Sequence, residues 1–111
     1  MNSIAHMRAT VLENAHLFRK DFYAWLNANW HVFDHFEQSA IKTWQSGFKH
    51  YSHRTIWEVM RHQSNVRELD GTFKLNDHYT RNCAQLYLLL HPEHEGLFYL
   101  KERKQEEGAA A

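Results

Sequence analysis

A single cysteine, Cys83, among 111 residues excludes an intrachain disulfide and the cross-linked framework on which small secreted domains depend. The expected compartment is a reducing one, the cytoplasm. Proline is confined to Pro92 and glycine to four positions, so the chain has few natural breaks. With Leu, Glu, Gln, Arg and Lys abundant, that scarcity predicts helix. Net charge is also missing: 13 Lys and Arg cancel 13 Asp and Glu, which removes the long-range field of a strongly nucleic-acid-binding protein and leaves room only for a local basic patch. The longest uninterrupted apolar run, Leu86 to Leu90, falls far short of the roughly 20 residues a membrane span needs. The N-terminus shows no basic segment followed by an apolar core, so neither a signal peptide nor a membrane partner is expected.

Bulky apolar residues are plentiful. Hydrophobic residues make up 43% of the chain and aromatic ones 14%, well above what a disordered chain carries. The length suits one core, so we expect a single domain over residues 1–108, with the three alanines at 109–111 as an appended tail. Ten histidines, each with an ordinary pKa of roughly 6.5, make the charge soft: mild acidification turns a neutral protein cationic.

Apolar residues at Ile4, Met7, Val11, Leu12, Ala15, Phe18, Phe22, Trp25 and Leu26 keep three-and-four spacing and predict an amphipathic helix from Ser3 to Asn27, breaking near Asn27 to Asn29. A second helix is expected from His31 to Ser46, ended by Gly47. Phe48 to Tyr51 reads as a short strand, and Ser52 as the N-cap of a third helix through Arg67. Asp70-Gly71 is a turn signal and Thr72 to Leu75 a short extended piece, after which Asn76 or Asp77 caps a fourth helix. That helix buries Tyr79, Cys83, Leu86, Tyr87 and Leu90 and stops at about His91, because Pro92 disfavours helical geometry at the residue ahead of it. Gly96 to Arg103 reads as a strand or an extended packing arm. The expected fold is mainly α, a small domain of four to five helices. Its element order fits a winged helix-turn-helix with a short β-ribbon and a plain helical bundle equally well.

Charge is unevenly placed along the chain. Residues 42–81 hold seven Lys or Arg against four Asp or Glu, a net of +3, whereas residues 1–41 carry −1 and residues 82–111 carry −2. The basic stretch coincides with the candidate helix-turn-helix. On the fourth helix the apolar set leaves His78, Arg81, Asn82 and Gln85 on another face, and Arg, Asn and Gln are the types that make paired hydrogen bonds to guanine or adenine edges. The resulting candidate nucleic-acid interface has Arg81, Asn82 and Gln85 toward the groove and Lys49, Arg54 and Lys74 on phosphates of double-stranded DNA. The same residue types also stand on any solvated helix face. Phe48, Tyr51, Trp57, Phe73 and Tyr79 are assigned to packing rather than to base stacking.

His31 and His35 lie four apart beside Asp34, and His91 and His94 flank Pro92-Glu93. Zinc needs three or four converging ligands, and no cysteine pair or His-Glu-x-x-His run nominates them. Surface imidazoles, with neither metal nor cofactor, are the expectation. Cys83 has apolar helical neighbours and reads as a buried small residue rather than a nucleophile. Glu58 and Arg61 suit a surface ion pair. With no phosphate-binding glycine loop and no paired carboxylates, catalysis is not expected.

The string Trp57-Glu58-Val59-Met60-Arg61, then Phe73-Lys74-Leu75-Asn76-Asp77-His78-Tyr79, then Pro92 and Gly96-Leu97-Phe98, resembles a family of small uncharacterised helical proteins of phages and bacterial mobile elements. Phe22-Tyr23-Ala24-Trp25-Leu26 and His31-Val32-Phe33 are similar to the same family's N-terminal part, where a proline often stands at the position of Trp30. The resemblance implies a compact helical domain working on mobile DNA, with no activity attached to particular residues. Two functions are therefore expected from the sequence. One is a DNA-binding accessory protein. The other is a protein-interaction module, either a homodimer through the N-terminal helix or an inhibitor of a host protein, which the neutral charge and the heavy aromatic content suit.

Overall fold

The structure, a computed structural model, describes residues 3–63 and 77–100. Four helices account for most of it: α1 (Ile4–Glu13), α2 (Phe22–Gln45), α3 (His53–Arg61) and α4 (Thr80–Leu90), with short 3₁₀ turns at Ala15–Leu17, Asp77–Tyr79 and Pro92–His94. Among the described residues there is no strand, and no helix is long and apolar enough to cross a membrane.

Ser3 starts α1 by accepting the His6 backbone N–H on its hydroxyl, a normal N-cap. The helix expected to run on to Asn27 ends at Glu13. Asn14 closes it: the side-chain amide donates to the Thr10 carbonyl at 2.9 Å, and the Asn14 backbone N–H reaches the Thr10 and Val11 carbonyls. An Asn side chain that binds the backbone locally competes with helix propagation. Phe18 then takes extended geometry, φ −121° and ψ 158°, and turns inward to stack on Phe22 at 5.2 Å. Apolar spacing survives the turn, which is why periodicity alone reads the segment as continuous.

The break expected near Asn27 to Asn29 is a kink inside α2. Asn29 leaves helical geometry at φ −130°, ψ 34°, and its side chain donates to the Trp25 carbonyl while that of Asn27 donates to Tyr23. These side-chain bonds to the i−4 carbonyls are a recognised cause of kinking. At the far end Gly47 takes φ +101°. The Gly47 N–H reaches the Trp44 carbonyl and that of Phe48 reaches Thr43, the bond pair that a left-handed glycine makes after a helix.

Phe48 to Tyr51 is not a strand. It meets the C-terminal arm through one backbone bond, Tyr51 N–H to the Leu97 carbonyl at 2.7 Å, with the His50 imidazole 3.1 Å from the Gly96 carbonyl. The left-handed glycine before the segment and the helix cap directly after it limit the pairing to that one backbone bond. Ser52 does cap α3, accepting the Thr55 N–H on its hydroxyl. The helix expected through Arg67 closes at Arg61, where His62 and Gln63 bond back to Val59 and Met60 in tight i→i−3 fashion. The Asp70-Gly71 turn, the extended Thr72 to Leu75, the Asn76 cap and residues beyond Leu100 lie outside the described residues.

The core is largely aromatic. From Phe18 and Phe22 the ring contacts pass to Trp25, then to Tyr79 and Trp57, on to Phe36 and Phe98, and finally to Tyr87. Offset and tilted pairs of this kind add about 0.5–1.5 kcal/mol each beyond the area they bury. α4 is the central helix, packed against α1, α2 and α3, with Cys83, Leu86 and Tyr87 fully enclosed. The arm after α4 completes the interior by inserting Leu97 and Phe98.

The buried polar groups are tied to this architecture. Asn82, 3% exposed, accepts the Arg19 backbone N–H at 3.0 Å and so fixes the loop between α1 and α2. Glu37, 1% exposed, sits 2.7 Å from His91 Nε2 at the end of α4. The Tyr79 hydroxyl donates to Asp21, whose carboxyl the hydrogen-bonded Arg19 guanidinium holds below the usual range. On α3, Arg61 and Glu58 form the anticipated ion pair at 3.5 Å.

Candidate nucleic-acid interface

The bundle brings the N-terminal ends of α3 and α4 to one cleft. Ser52 caps α3 so that His53 and Arg54 occupy its first turn, and the 3₁₀ turn Asp77–Tyr79 delivers His78 just ahead of Thr80 and Arg81 in the first turn of α4. Tyr99 and Leu100 on the arm close the third side, and the open space measures about 370 Å³. Two helix N-termini each contribute roughly half a positive charge and orphan N–H groups, which favour an anion.

His53 is the structural joint of the cleft. Its Nδ1 lies 3.1 Å from the Thr80 hydroxyl, and its ring meets Phe98 edge to face, so the floor of the cleft rests directly on the core. Burial, together with the neighbouring Arg54 and Arg81 charges, pushes the His53 pKa down to about 4. At neutral pH the imidazole is therefore uncharged, and positive charge in the cleft comes from Arg54 and Arg81. Arg54 and His78 are exposed and Arg81 is half-buried. Tyr99, 81% exposed, offers a hydroxyl and a ring at the rim. No carboxylate is among the described residues lining the cleft. Guanidiniums and helix N-termini facing one space, with no acid among its described lining residues, are suited to holding phosphate.

The seven residues expected from the sequence at a nucleic-acid interface separate in space. Arg54, His78 and Arg81 share the cleft. Lys49 stands apart, its ammonium 4.0 Å above the Trp44 ring. Asn82 is interior, its side-chain oxygen committed to the Arg19 N–H, and Gln85 is half-buried one turn further along α4. Lys74 lies outside the described residues. With three helices against α4, the face expected to be free is largely enclosed, and only its first turn reaches the cleft. His53, Thr80 and Tyr99 went unnoticed in the sequence. The one available signal was Ser52, since a capped N-terminus marks where free N–H groups and the next two side chains point.

No family model, no curated protein and no solved structure matches this chain.

Proposed function

We propose that the protein binds double-stranded DNA through its phosphate backbone, with Arg54, Arg81 and His78 holding phosphate at the paired N-termini of α3 and α4. The observation that carries this reading is the cleft itself, two guanidiniums, two imidazoles and two helix N-termini around a space that no described carboxylate lines. Backbone contacts give affinity without sequence information, which agrees with an interior Asn82 and a half-buried Gln85. A winged helix-turn-helix would place its wing at residues 48–51 and 97–100, and the bond from Tyr51 to Leu97 is what favours it. Phosphate anchoring does not depend on that wing. An accessory role on mobile DNA is the setting that goes with this reading.

Fluorescence anisotropy of a labelled mixed-sequence duplex against increasing salt tests the proposal. Affinity should fall steeply with salt. Arg54→Ala and Arg81→Ala should each weaken binding evenly across sequences and reduce the salt slope by about 1. No binding at low salt and slightly acidic pH would remove the proposal.

A second reading, a homodimer through the N-terminal helix, is favoured by one feature. Leu12 is 59% exposed on α1 and lines a groove of about 320 Å³ with Val11, Ala15, Phe18, Tyr23, Arg19 and Lys20. An aromatic and aliphatic groove that includes an exposed leucine has the character of an interface core. Light scattering at high protein concentration decides this reading, and a strict monomer ends it.

A further inference from the structure

We propose that His91, Glu93 and His94 form a binding site for a Zn²⁺-class divalent cation, with His91 Nδ1, Glu93 Oε2 and His94 Nε2 as ligands and the fourth position open to solvent. The site is separate from the cationic cleft and does not rest on the DNA-binding reading.

The backbone brings the ligands together. Pro92 opens a 3₁₀ turn immediately after α4, and in such a turn residues three apart eclipse one another. His91 and His94 consequently stack, 5.5 Å apart and 12° from parallel, with Glu93 between them in sequence. Their ligand atoms all lie within 4.8 Å of one another. Glu93 Oε2 stands 3.6 Å from His91 Nδ1 and 3.9 Å from His94 Nε2. Tetrahedral zinc with bonds of about 2.0–2.2 Å needs donors roughly 3.4 Å apart. Glu93 has a side chain 65% exposed, so a rotamer change closes its own two gaps, and the imidazole nitrogens, at most 4.8 Å apart, close theirs by a small rotation of the rings.

Both imidazoles are also oriented from behind, which separates this cluster from histidines that happen to be adjacent. The far nitrogen of His91, Nε2, is 2.7 Å from the buried carboxylate of Glu37. A carboxylate accepts, so Nε2 carries the proton and Nδ1 presents its lone pair toward Glu93. The far nitrogen of His94, Nδ1, is 2.6 Å from the Tyr87 hydroxyl, which accepts from it when Nε2 serves as the ligand. Trp44 stacks on the His94 ring at 4.4 Å and limits its rotation. Metal-binding histidines are normally held by a second partner on the non-ligating nitrogen, and here both are. Two imidazoles and one carboxylate suit zinc and its neighbours rather than magnesium or calcium. Three protein ligands with one open position is the arrangement of zinc sites that retain a water or accept a substrate.

The test is equilibrium binding of Zn²⁺ alone to tag-free full-length protein, by competition with a chromophoric chelator, together with the visible spectrum of the Co²⁺-loaded protein. One Zn²⁺ per chain and a tetrahedral Co²⁺ spectrum are expected. Glu93→Gln, at an exposed position that leaves the fold intact, should lower the affinity at least tenfold. Tyr87→Phe should lower it about 10–100-fold without touching the metal. Removing the other near pair with His31→Gln and His35→Gln should change nothing. The proposal is overturned by absence of stoichiometric binding, by affinity that survives either Glu93→Gln or Tyr87→Phe undiminished, or by affinity lost only with His31 and His35.

Discussion

Replacing His91 by alanine tests the idea that the buried hydrogen bond between His91 and Glu37 locks the end of α4 to the middle of α2. The Glu37 side chain is 1% exposed and that of His91 15%, and the 2.7 Å separation is that of a charge-assisted hydrogen bond. His91→Ala removes the imidazole and leaves the carboxylate in the interior without it. Leaving one partner of a buried hydrogen bond behind costs about 1–3 kcal/mol, and more when that partner is charged. For a side chain as enclosed as Glu37 the upper end applies, about 3 kcal/mol. Against a total stability on the order of 5–15 kcal/mol, this is a large share. At roughly 4 °C per kcal/mol for a domain of this size, the melting temperature should fall by about 12 °C. Replacing both partners, Glu37→Leu with His91→Leu, removes the buried acceptor together with its donor and should recover much of the loss. Urea unfolding followed by fluorescence of the buried Trp25 and Trp57 measures both variants, and an unchanged m-value shows that the same two states are being compared. A cost for His91→Ala below about 1 kcal/mol, or a double variant as unstable as the single ones summed, refutes the reasoning.

Phe98→Ala should cost about 3–5 kcal/mol in the same urea assay, since Phe98 is 3% exposed and packs on Phe36 and Tyr87. Its neighbour Tyr99, on the surface, should tolerate alanine within about 0.5 kcal/mol. Gly47→Ala meets no atom within 4 Å, yet its φ of +101° should cost about 1 kcal/mol, read as a drop of a few degrees in the melting temperature. His53 has a folded-state pKa of about 4, below its ordinary value of 6.5, so the unfolded chain takes up a proton first as pH falls. Its contribution is complete above pH 6.5 and is lost between 6.5 and 4, by about 1–2 kcal/mol once solvent screening of this partly exposed ring is allowed for. His53→Gln should remove that part of the pH dependence in urea midpoints compared across this range, and an unchanged profile would count against it.

The legible parts of this fold are those where one residue decides the backbone. Ser52 announces α3, Gly47 ends α2 and Pro92 ends α4, each through local chemistry that does not wait for tertiary contacts. The break at Asn14 was hidden because Val11, Ala15, Phe18 and Phe22 keep helical spacing across a turn, and spacing records which side faces inward rather than whether the axis continues. Asn82 shows the converse. A polar residue on α4 reads as surface until one knows that a loop N–H from Arg19 needs an acceptor there. Glu37 is a similar case, an acid among apolar neighbours whose partner lies 54 residues away. For the cleft, local charge density marked the stretch of chain that carries Arg54, His78 and Arg81, and these three do meet. The helix N-termini between them are backbone features with no side-chain signature beyond the Ser52 cap.

The arm from Leu97 to Leu100 sets the order in which the molecule can be assembled. Phe98 bridges Phe36 on α2 and Tyr87 on α4 and supports His53 from below. During synthesis the first three helices are made well before it, but their shared interior stays open until residue 98 has emerged from the ribosome. Closure of the interior therefore waits on the arm. A released chain truncated before Leu97 should expose its rings to chaperones and proteases, whereas one truncated after Leu100 should not.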